Sequence, residues 1–357
     1  MQIPVQALQF QIAGKPVLCK QWGSGHINYT LRIETDAGKR YILQRINQFV
    51  FKDPVAMVEN ANGVASFLLN KTGNPKASVR FLPTLTGDIC LKDDQGEYWR
   101  LYEYIEGFCL DAPECLEDFY ESAIAFGNFQ NALSDYPVET LYETIPNFHN
   151  TPDRFRQLKD AIAADPKRRA VRARPEIEFA LSQEVLGGTL QRMLEKGQLP
   201  LRVTHNDTKL NNVLLDPETR KSLCVLDLDT VMPGLSAFDF GDSIRFGAAT
   251  TAEDDPEPEN MMLDLERFAA YTRGYLTAAK ALTDAEVQAL SYGAIIMSLE
   301  VGIRFLTDYL NGDVYFRTAY PEHNLVRCRT QLALVADMLK KWDEMNDIVN
   351  RIAKEFR

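Results

Sequence analysis

The sequence lacks the features that mark several classes of protein. Its 39 Lys and Arg residues are outnumbered by 50 Asp and Glu residues, which gives a net charge of −11. A basic face is what holds nucleic acids and anionic membranes, so we expect neither as a partner. The start of the chain has no basic stretch followed by an apolar core, so no secretory signal is expected there. No apolar run approaches the roughly 20 residues of a membrane-spanning helix, so a membrane protein is not expected.

Cysteine is also scarce, and no two cysteines form a Cys-x-x-Cys pair. The six are Cys19, Cys90, Cys109, Cys115, Cys224 and Cys328. This spacing indicates reduced cysteines in a cytoplasmic protein rather than a disulfide framework. With 357 residues, 45% of them hydrophobic, the chain can bury enough apolar surface to fold without cross-links or a metal.

The first hundred residues have the pattern of a small β-rich part with one helix. β-branched and aromatic runs predict strands at residues 22–35, 39–47, 87–91 and 97–104, and helical spacing predicts a helix at 54–69. A Thr-Asp-Ala-Gly turn joins the first two runs, so they should form a hairpin.

After Gly107 the pattern becomes helical. Helices are predicted at residues 117–133, 175–194, 283–310 and 323–356, the third opened by a Thr-x-x-Glu capping box. A region of short strands and polar loops, residues 203–247, interrupts them. We therefore expect an α+β protein with a small β-rich N-terminal lobe at residues 1–105 and a larger, mainly helical lobe at residues 106–357.

The densest polar run lies directly before an apolar strand. It runs from His205 to Asn212 and contains Asp207 and Lys209. Twenty residues after Asp207, Asp227 ends a second apolar strand. Mg²⁺ prefers oxygen ligands and usually takes one or two carboxylates together with phosphate oxygens. Asn212 and Asp227 suit that task, which leaves Asp207 to face a substrate hydroxyl.

Six motifs, in this order and spacing, resemble the protein-kinase-like phosphotransferases. They are GSGHIN, YILQRIN, HNDTKLNN, DLDTVMPG, FDFGDSIRFGA and YPEHNLVR, and they extend over residues 23–327, almost the whole chain. The Asp-Leu-Asp sequence, where protein kinases have Asp-Phe-Gly, is similar to the aminoglycoside phosphotransferase branch, and the full set resembles its hexosamine kinases. The resemblance implies a bilobal protein-kinase-like fold with a nucleotide-binding N-terminal lobe and an active site between the lobes.

The resemblance also implies ATP and Mg²⁺ as cofactors, with a role for each residue of the polar run. Asp207 would accept or orient the acceptor proton, and Lys209 would contact the transferred phosphoryl group. Asn212 and Asp227 would hold Mg²⁺. Asp229 would be a second metal or polyphosphate contact, or else the buried partner of a backbone amine, and both alternatives stay open.

Three residues of this region are expected to support the loop rather than the chemistry. His205 is expected to be structural, because kinase-like chemistry already has its base. Asp239 and Asp242 are expected to brace the polar run from His205 to Asn212, which the resemblance makes the catalytic loop, with Arg245 as a partner.

The glycine-containing loop Gly23, Ser24 and Gly25 lies between two strand runs, where its backbone N–H groups could cover phosphates. One residue departs from the family pattern: Gln44 stands where the phosphate-pairing lysine usually is. Because glutamine carries no charge, the usual Lys–Glu ion pair cannot form, which puts a role for Glu59 in doubt. Mg²⁺, the lysine of the catalytic loop and the glycine loop then remain to hold the triphosphate.

Adenine and acceptor contacts are likewise implied by the resemblance. The carbonyl of Glu103 and the N–H of Ile105 would bind adenine, with Tyr102 at the back wall. Arg304 and Tyr315 would bind the sugar. For these last two, a structural ion pair and a core tyrosine are the alternatives.

The reaction implied is ATP-dependent phosphorylation of the anomeric hydroxyl of N-acetylhexosamines, either N-acetylglucosamine or N-acetylgalactosamine. One alternative is another small-molecule kinase of this branch, acting on a different sugar, an aminoglycoside or a choline-like amine. A cationic acceptor would need an acidic pocket, and the acidic run 253–259 lies in a predicted loop whose position the sequence does not fix. The other alternative is a catalytically silent nucleotide-binding protein, suggested only by Gln44.

Overall fold

The computed structural model describes residues 2–23 and 27–356. The chain folds into two compact units, each assembled from separate stretches of sequence. Unit 1 comprises Met1–Cys109, Ala132–Pro146 and Asn212–Pro233, and unit 2 comprises Leu110–Asn131, Asn147–Asn211 and Gly234–Arg357. Because unit 1 includes segments that follow residue 105, these units are a different division from the predicted lobes, and the boundary at residue 105 stays a prediction.

The structure has a small antiparallel sheet and a larger helical part, which confirms the predicted α+β class. The strands are β1 (Pro16–Gln21), β2 (Tyr29–Thr35), β3 (Arg40–Arg45), β4 (Leu91–Lys92), β5 (Tyr98–Glu103), β6 (Arg202–Thr204), β7 (Val213–Leu215), β8 (Ser222–Val225) and β9 (Met232–Gly234). The helices are α1 (Pro54–Thr72), α2 (Leu116–Ala132), α3 (Thr151–Ala164), α4 (Arg174–Ser182), α5 (Glu184–Gly187), α6 (Thr189–Glu195), α7 (Ser236–Gly247), α8 (Leu265–Ala278), α9 (Asp284–Gln288), α10 (Leu290–Asn311), α11 (His323–Lys340) and α12 (Trp342–Phe356).

The main sheet of unit 1 has two unlike faces. Its strands pair antiparallel in the order β1-β2-β3-β5-β4. Leu31, Leu43 and Leu101 are in register across β2, β3 and β5, and they are buried in one apolar core. Side chains alternate along a strand, so Gln44 and its partner Arg100 lie on the opposite face. The predicted hairpin of β2 and β3 is confirmed; β1, which precedes it, was not predicted.

A second hairpin of unit 1 is formed by β7 and β8. Val213 pairs with Val225 across it, and the N–H of Leu226 donates to the carbonyl of Asn212 at 2.8 Å. The antiparallel pairing therefore brings Asn212, just before β7, and Asp227, just after β8, to the same end of the hairpin.

Unit 2 is built around α10, which packs against α3, α7 and α11. In the described part of the chain, α10 is the one helix long and apolar enough to cross a membrane, with a mean hydropathy of 1.3 over its most apolar window. The helix carries Glu300, Arg304 and Asp308, so it contains no uninterrupted apolar run of about 20 residues, and 83% of its most apolar window lies inside the protein.

Three of the predicted helices are interrupted. Residues 175–194 form α4, α5 and α6, and the break before α6 is at Gly188, a residue of low helix propensity. The capping box of Thr283 and Glu286 is present, but α9 ends at Gln288 and α10 follows after Ala289. The last predicted helix is broken at Lys341. α3, α7 and α8 were not predicted, and α7 lies within residues 203–247, where short strands and polar loops were expected.

Candidate functional site

The end of the β7–β8 hairpin carries two of the predicted metal ligands. Asn212 is buried and Asp227 is exposed. Asp227 has a left-handed backbone, with φ 55° and ψ 60°, which is uncommon for a residue other than glycine. An amide oxygen and a carboxylate, carried at one end of a tight hairpin, fit a hard divalent cation that completes its shell with water and phosphate oxygens.

Asp229 occupies a different environment from Asp227. It lies in a 3₁₀ turn, Leu228–Thr230, and is 4% exposed. Its Oδ1 is 2.5 Å from Nη1 of Arg100, and its Oδ2 accepts a hydrogen bond from Nδ2 of Asn28 at 2.7 Å. Of the two alternatives for Asp229, the structure matches the buried partner, although the partners are a guanidinium and an amide rather than a backbone amine. A role in metal binding stays a prediction.

Gln44 is also engaged by Arg100. Its Oε1 accepts hydrogen bonds from Nε and Nη2 of Arg100 at 2.9 and 2.7 Å, and its Nε2 donates to Oγ1 of Thr30 at 3.0 Å. Sequence reasoning missed Arg100. The available signal was a single arginine within the apolar strand Tyr98–Glu103.

α1 contributes an amide to this region rather than the carboxylate of Glu59, which is exposed. The neighbouring Asn60 is 3% exposed, and its Nδ2 donates to the carbonyls of Tyr142 and Val231 at 2.8 and 3.0 Å. Asn60 thus fixes α1 next to the segment that follows Asp227. Sequence reasoning missed this residue as well, although an asparagine on the buried face of a helix is a signal.

Among the other predicted nucleotide contacts, Gly23 follows β1, and Tyr102 and Glu103 end β5. Gly23 is exposed and has φ 78°, a conformation that suits glycine; Ser24 and Gly25 lie outside the described residues. Tyr102 packs edge-on against Phe81, with ring centroids 5.6 Å apart.

Beyond β5 the connector runs through Glu103, which is exposed, and Ile105, which is half-buried, to Gly107. A Cβ at Gly107 would lie 2.6 Å from Leu214, so glycine lets the connector pack closely on β7. The backbone of Phe108 and Leu215 is paired there by two hydrogen bonds of 3.0 and 2.8 Å.

The predicted catalytic loop, of which residues 205–211 belong to unit 2, follows β6. His205 is fully buried, with its ring edge-on to Phe126 and Phe129 at 5.5 and 5.9 Å, which agrees with a structural role. Asp207 and Lys209 are both partly exposed, and Nζ of Lys209 is 2.8 Å from Oδ1 of Asp207. Burial lowers the pKa of Lys209, but the carboxylates of Asp207 and Asp242 outweigh this and raise it overall. Lys209 is therefore a cation at neutral pH.

Two buried carboxylates of helix α7 accept hydrogen bonds from the backbone of this loop. Asp239 accepts hydrogen bonds from the N–H groups of His205 and Asn206, both at 2.8 Å. Asp242 accepts the N–H of Thr208 at 3.0 Å. These bonds are the predicted brace, and they fix the backbone on both sides of Asp207.

Arg245 is the predicted partner of Asp242. Its Nη2 is 2.9 Å from Oδ1 of Asp242, and its Nη1 is 2.6 Å from Oε2 of Glu253. Burial alone would raise the pKa of Asp242, but Arg245 and Lys209 outweigh it and hold that pKa below its usual value. Asp242 is therefore ionised at neutral pH, whereas burial raises the pKa of Asp239, the other carboxylate of the brace, above its usual value.

Arg304 lies on α10 within a ring of aromatic side chains. Its guanidinium carbon is 5.6, 5.9 and 5.5 Å from the rings of Phe148, Tyr315 and Phe316. Among the described residues it makes no ion pair, so the alternative of a structural ion pair does not hold. Tyr315 is 63% exposed and is not a core tyrosine.

The loop that carries Tyr315 is fixed from α10. Asp308 accepts the N–H groups of Val314, Tyr315 and Phe316 at 2.8–3.0 Å. Because one carboxylate holds three consecutive N–H groups, the loop has a defined backbone beside Arg304.

The acidic run lines a cavity of about 470 Å³ in unit 2. Asp111, Glu253 and Asp254 contribute carboxylates to its wall, and Arg245 and Arg267 contribute cations. Asp254 is also 3.2 Å from Nε2 of His323. The sequence did not fix the position of this run; the structure places it beside the helix that braces the catalytic loop.

A small antiparallel sheet, a larger helical part and a braced Asp-x-Lys loop together define a kinase-like phosphotransferase. Residues 19–282 match the phosphotransferase enzyme family (APH), which is well over half of the chain. The protein therefore belongs to this family.

Solved structures agree with this fold at low sequence identity. An aminoglycoside phosphotransferase from Alicyclobacillus acidocaldarius has a TM-score of 0.64 and 14% identity, with 98% of each chain covered. An amicoumacin kinase in complex with AMP-PNP, Ca²⁺ and amicoumacin has a TM-score of 0.61 and 14% identity, over 92% of this chain and 91% of that one. A choline kinase from Cryptosporidium parvum has a TM-score of 0.55 and 14% identity, over 94% and 92%.

Proposed function

We propose that the protein transfers the γ-phosphoryl group of ATP to the anomeric hydroxyl of an N-acetylhexosamine, N-acetylglucosamine or N-acetylgalactosamine, in the presence of Mg²⁺. The observation that carries the proposal for a sugar is Arg304, a half-buried guanidinium without an ion-pair partner among the described residues, set among three aromatic rings. Small-molecule sites combine apolar and aromatic walls with a few fixed polar groups. A guanidinium donates to neutral hydroxyl and carbonyl oxygens, which an N-acetylated sugar presents.

In this proposal Asp207 accepts or orients the proton of the anomeric hydroxyl. That hydroxyl is a better acid than an ordinary alcohol, so one carboxylate suffices as the base. Lys209, held by Asp207 and charged at neutral pH, balances the charge on the transferring group. Positioning and electrostatics supply most of the rate in such a transfer, so the brace of α7 matters as much as the base.

Asn212 and Asp227 are the residues we propose to hold the divalent metal, with Asp229, two residues after Asp227, as a further metal contact. The metal, when bound, would neutralise charge on the phosphates. For the nucleotide we propose the backbone of the loop at residues 23–25, together with Tyr102, Glu103 and Ile105. Gln44, at the position of the usual phosphate-pairing lysine, is proposed to act through its hydrogen bonds with Arg100. A neighbouring fold crystallised with AMP-PNP and Ca²⁺ supports the use of a nucleoside triphosphate and a divalent cation.

The experiment that tests the acceptor is a phosphorylation panel read by coupled ADP release. N-acetylglucosamine, N-acetylgalactosamine, kanamycin and choline are compared at equal concentration, each with and without enzyme. We expect ADP release with the two sugars. Turnover confined to kanamycin or choline would refute the sugar proposal and leave a phosphotransferase of another specificity. If no acceptor caused ADP release but ATP still bound, the result would favour the alternative that Gln44 suggests, a nucleotide-binding protein without catalytic activity.

A cationic acceptor is the second candidate, and one observation favours it. Asp111, Glu253 and Asp254 line the 470 Å³ cavity of unit 2, so an acidic pocket of the kind an amine requires is present. Arg245 and Arg267 line the same cavity and Glu253 is paired with Arg245, which reduces its attraction for a cation. For this reason we place the sugar first.

We also propose a cytoplasmic location. None of the six cysteines, all within the described residues, forms a disulfide, and ATP is a cytoplasmic co-substrate. Small molecules, the sugar and ATP, are the partners we propose, without nucleic acid or membrane.

A further inference from the structure

The strand that usually carries a phosphate-pairing lysine carries glutamine in this protein, yet a cation lies directly across the sheet. Gln44 on β3 is in register with Arg100 on β5. Both side chains leave the sheet on the face opposite to the apolar core of Leu43 and Leu101. The positive charge absent from β3 is therefore present one strand away.

Arg100 uses its guanidinium to join two parts of unit 1. Nε and Nη2 donate to Oε1 of Gln44, and Nη1 is 2.5 Å from Oδ1 of Asp229. Arg100 is 2% exposed, so these contacts are shielded from water. Burial opposes its charged form, but Asp229 and Tyr102 outweigh burial and raise the pKa of Arg100 overall. The contacts are thus made by a permanent cation.

Gln44 is suited to this arrangement in a way that lysine is not. The two bonds from Arg100 need an acceptor, and the amide oxygen of Gln44 provides one while its Nε2 donates to Thr30. A lysine has donors only and would bring a second cation against a buried guanidinium. Gln44 is therefore the complement of Arg100.

Nη1 of Arg100 binds Asp229 in the turn Leu228–Thr230, which directly follows the proposed metal ligand Asp227. Asp229 lies two residues after Asp227 and also accepts a bond from Asn28, whose own Oδ1 accepts the N–H of Asn47. With Asp229 anchored on both oxygens, the backbone of the turn is fixed, and with it the left-handed conformation of Asp227.

We propose that Arg100 is a positioning residue of the metal–nucleotide site: with Gln44 as its acceptor it anchors Asp229 and so sets Asp227 for metal binding, in place of the missing lysine. This inference rests on the proposed function only for the use of ATP and a divalent metal. It does not depend on the identity of the acceptor.

The test measures Mn²⁺ binding in the presence of AMP-PNP, which cannot be turned over, by the loss of the free Mn²⁺ signal in electron paramagnetic resonance. The variants are Gln44→Lys, Gln44→Glu, Arg100→Met and the double variant Gln44→Lys/Arg100→Met. Gln48→Lys is the matched control, because Gln48 is an exposed glutamine of the same unit.

We expect Gln44→Lys to weaken Mn²⁺–AMP-PNP binding about tenfold or more, since it removes charged hydrogen bonds. Gln44→Glu keeps an acceptor for Arg100 and should stay within about threefold of wild type. Arg100→Met should weaken binding as Gln44→Lys does, and the double variant should recover most of the loss because one cation again faces Asp229. Gln48→Lys should bind as wild type.

A direct contact of residue 44 with phosphate predicts the opposite signs. Tighter or unchanged binding in Gln44→Lys together with weaker binding in Gln44→Glu would overturn the inference. If the variants at Arg100 fail to fold, the pair at position 44 still decides. Absence of Mn²⁺–AMP-PNP binding by the wild-type protein would instead refute the proposed use of nucleotide and metal.

Discussion

Replacing Arg304 by alanine tests the proposed acceptor site most directly. If the guanidinium donates to the sugar, its loss removes a charged hydrogen bond of about 1.5–3 kcal/mol. That loss corresponds to roughly a 10- to 150-fold rise in KM for the sugar. Since Arg304 makes no ion pair among the described residues, its removal leaves no carboxylate without a partner. Its ring contacts, at 5.5–5.9 Å, are close to the outer limit for cation–π attraction. The melting temperature should therefore fall by only about 2–4 °C.

The assay is paired: KM for the sugar and KM for ATP are measured in wild type and in Arg304→Ala, with the melting temperature of each. KM for ATP should hardly change. Arg174→Ala is the control, since Arg174 is an exposed arginine whose ion pair with Glu178, at 2.6 Å, lies within α4. A rise in KM for ATP alone would place Arg304 outside the acceptor site. Unchanged KM values with a large fall in melting temperature would make it a structural residue.

Three further predictions follow from the described contacts. Asp207→Asn should keep the fold and ATP binding but lose about 100-fold or more in kcat, the usual scale for a positioned base; near-normal turnover would remove Asp207 from this role. Activity should disappear with a chelator and return with Mg²⁺, and Asp227→Ala should not recover full activity at any Mg²⁺ concentration tested. For Glu286, hydrogen bonds from Arg202 and Thr283 outweigh burial and lower its pKa. Its stabilisation is therefore complete above the unfolded pKa of about 4.3 and is lost as the pH falls through the lower folded value. Urea unfolding should show Glu286→Gln less stable than wild type at pH 7 by about 1–3 kcal/mol, with the gap closing toward pH 3; a gap independent of pH would contradict the ionised pair.

The elements that could be predicted from the sequence are those with a local signal, carried by residues close together in the chain. The β2–β3 hairpin follows from alternation and a turn, and the opening of α9 follows from the capping box of Thr283 and Glu286. The breaks at Ala289 and Lys341 carry no glycine or proline signal. They depend on how the following helix packs, which a single segment does not encode.

The candidate site divides in the same way. Asp207, Lys209 and the bracing carboxylates are grouped in short motifs, so their proximity was predictable. The hydrogen bonds of Arg100 were not predictable from the sequence. They link Arg100 to Gln44, which is 56 residues away in the chain, and to Asp229, which is more distant still. Sequence spacing cannot show that register, and an arginine in a strand is more often a surface residue.

The assembly of the two units has a consequence for how such an enzyme diversifies. The residues we propose for ATP and the metal, such as Gln44, Asn212 and Asp227, belong to unit 1. Asp207, Arg304 and Tyr315 belong to unit 2. The chain crosses between the two units five times, and one of these borders is the peptide bond after Asn211, within the HNDTKLNN motif. Substitutions that change acceptor specificity can therefore accumulate in unit 2 while the residues proposed for ATP and the metal in unit 1 stay the same.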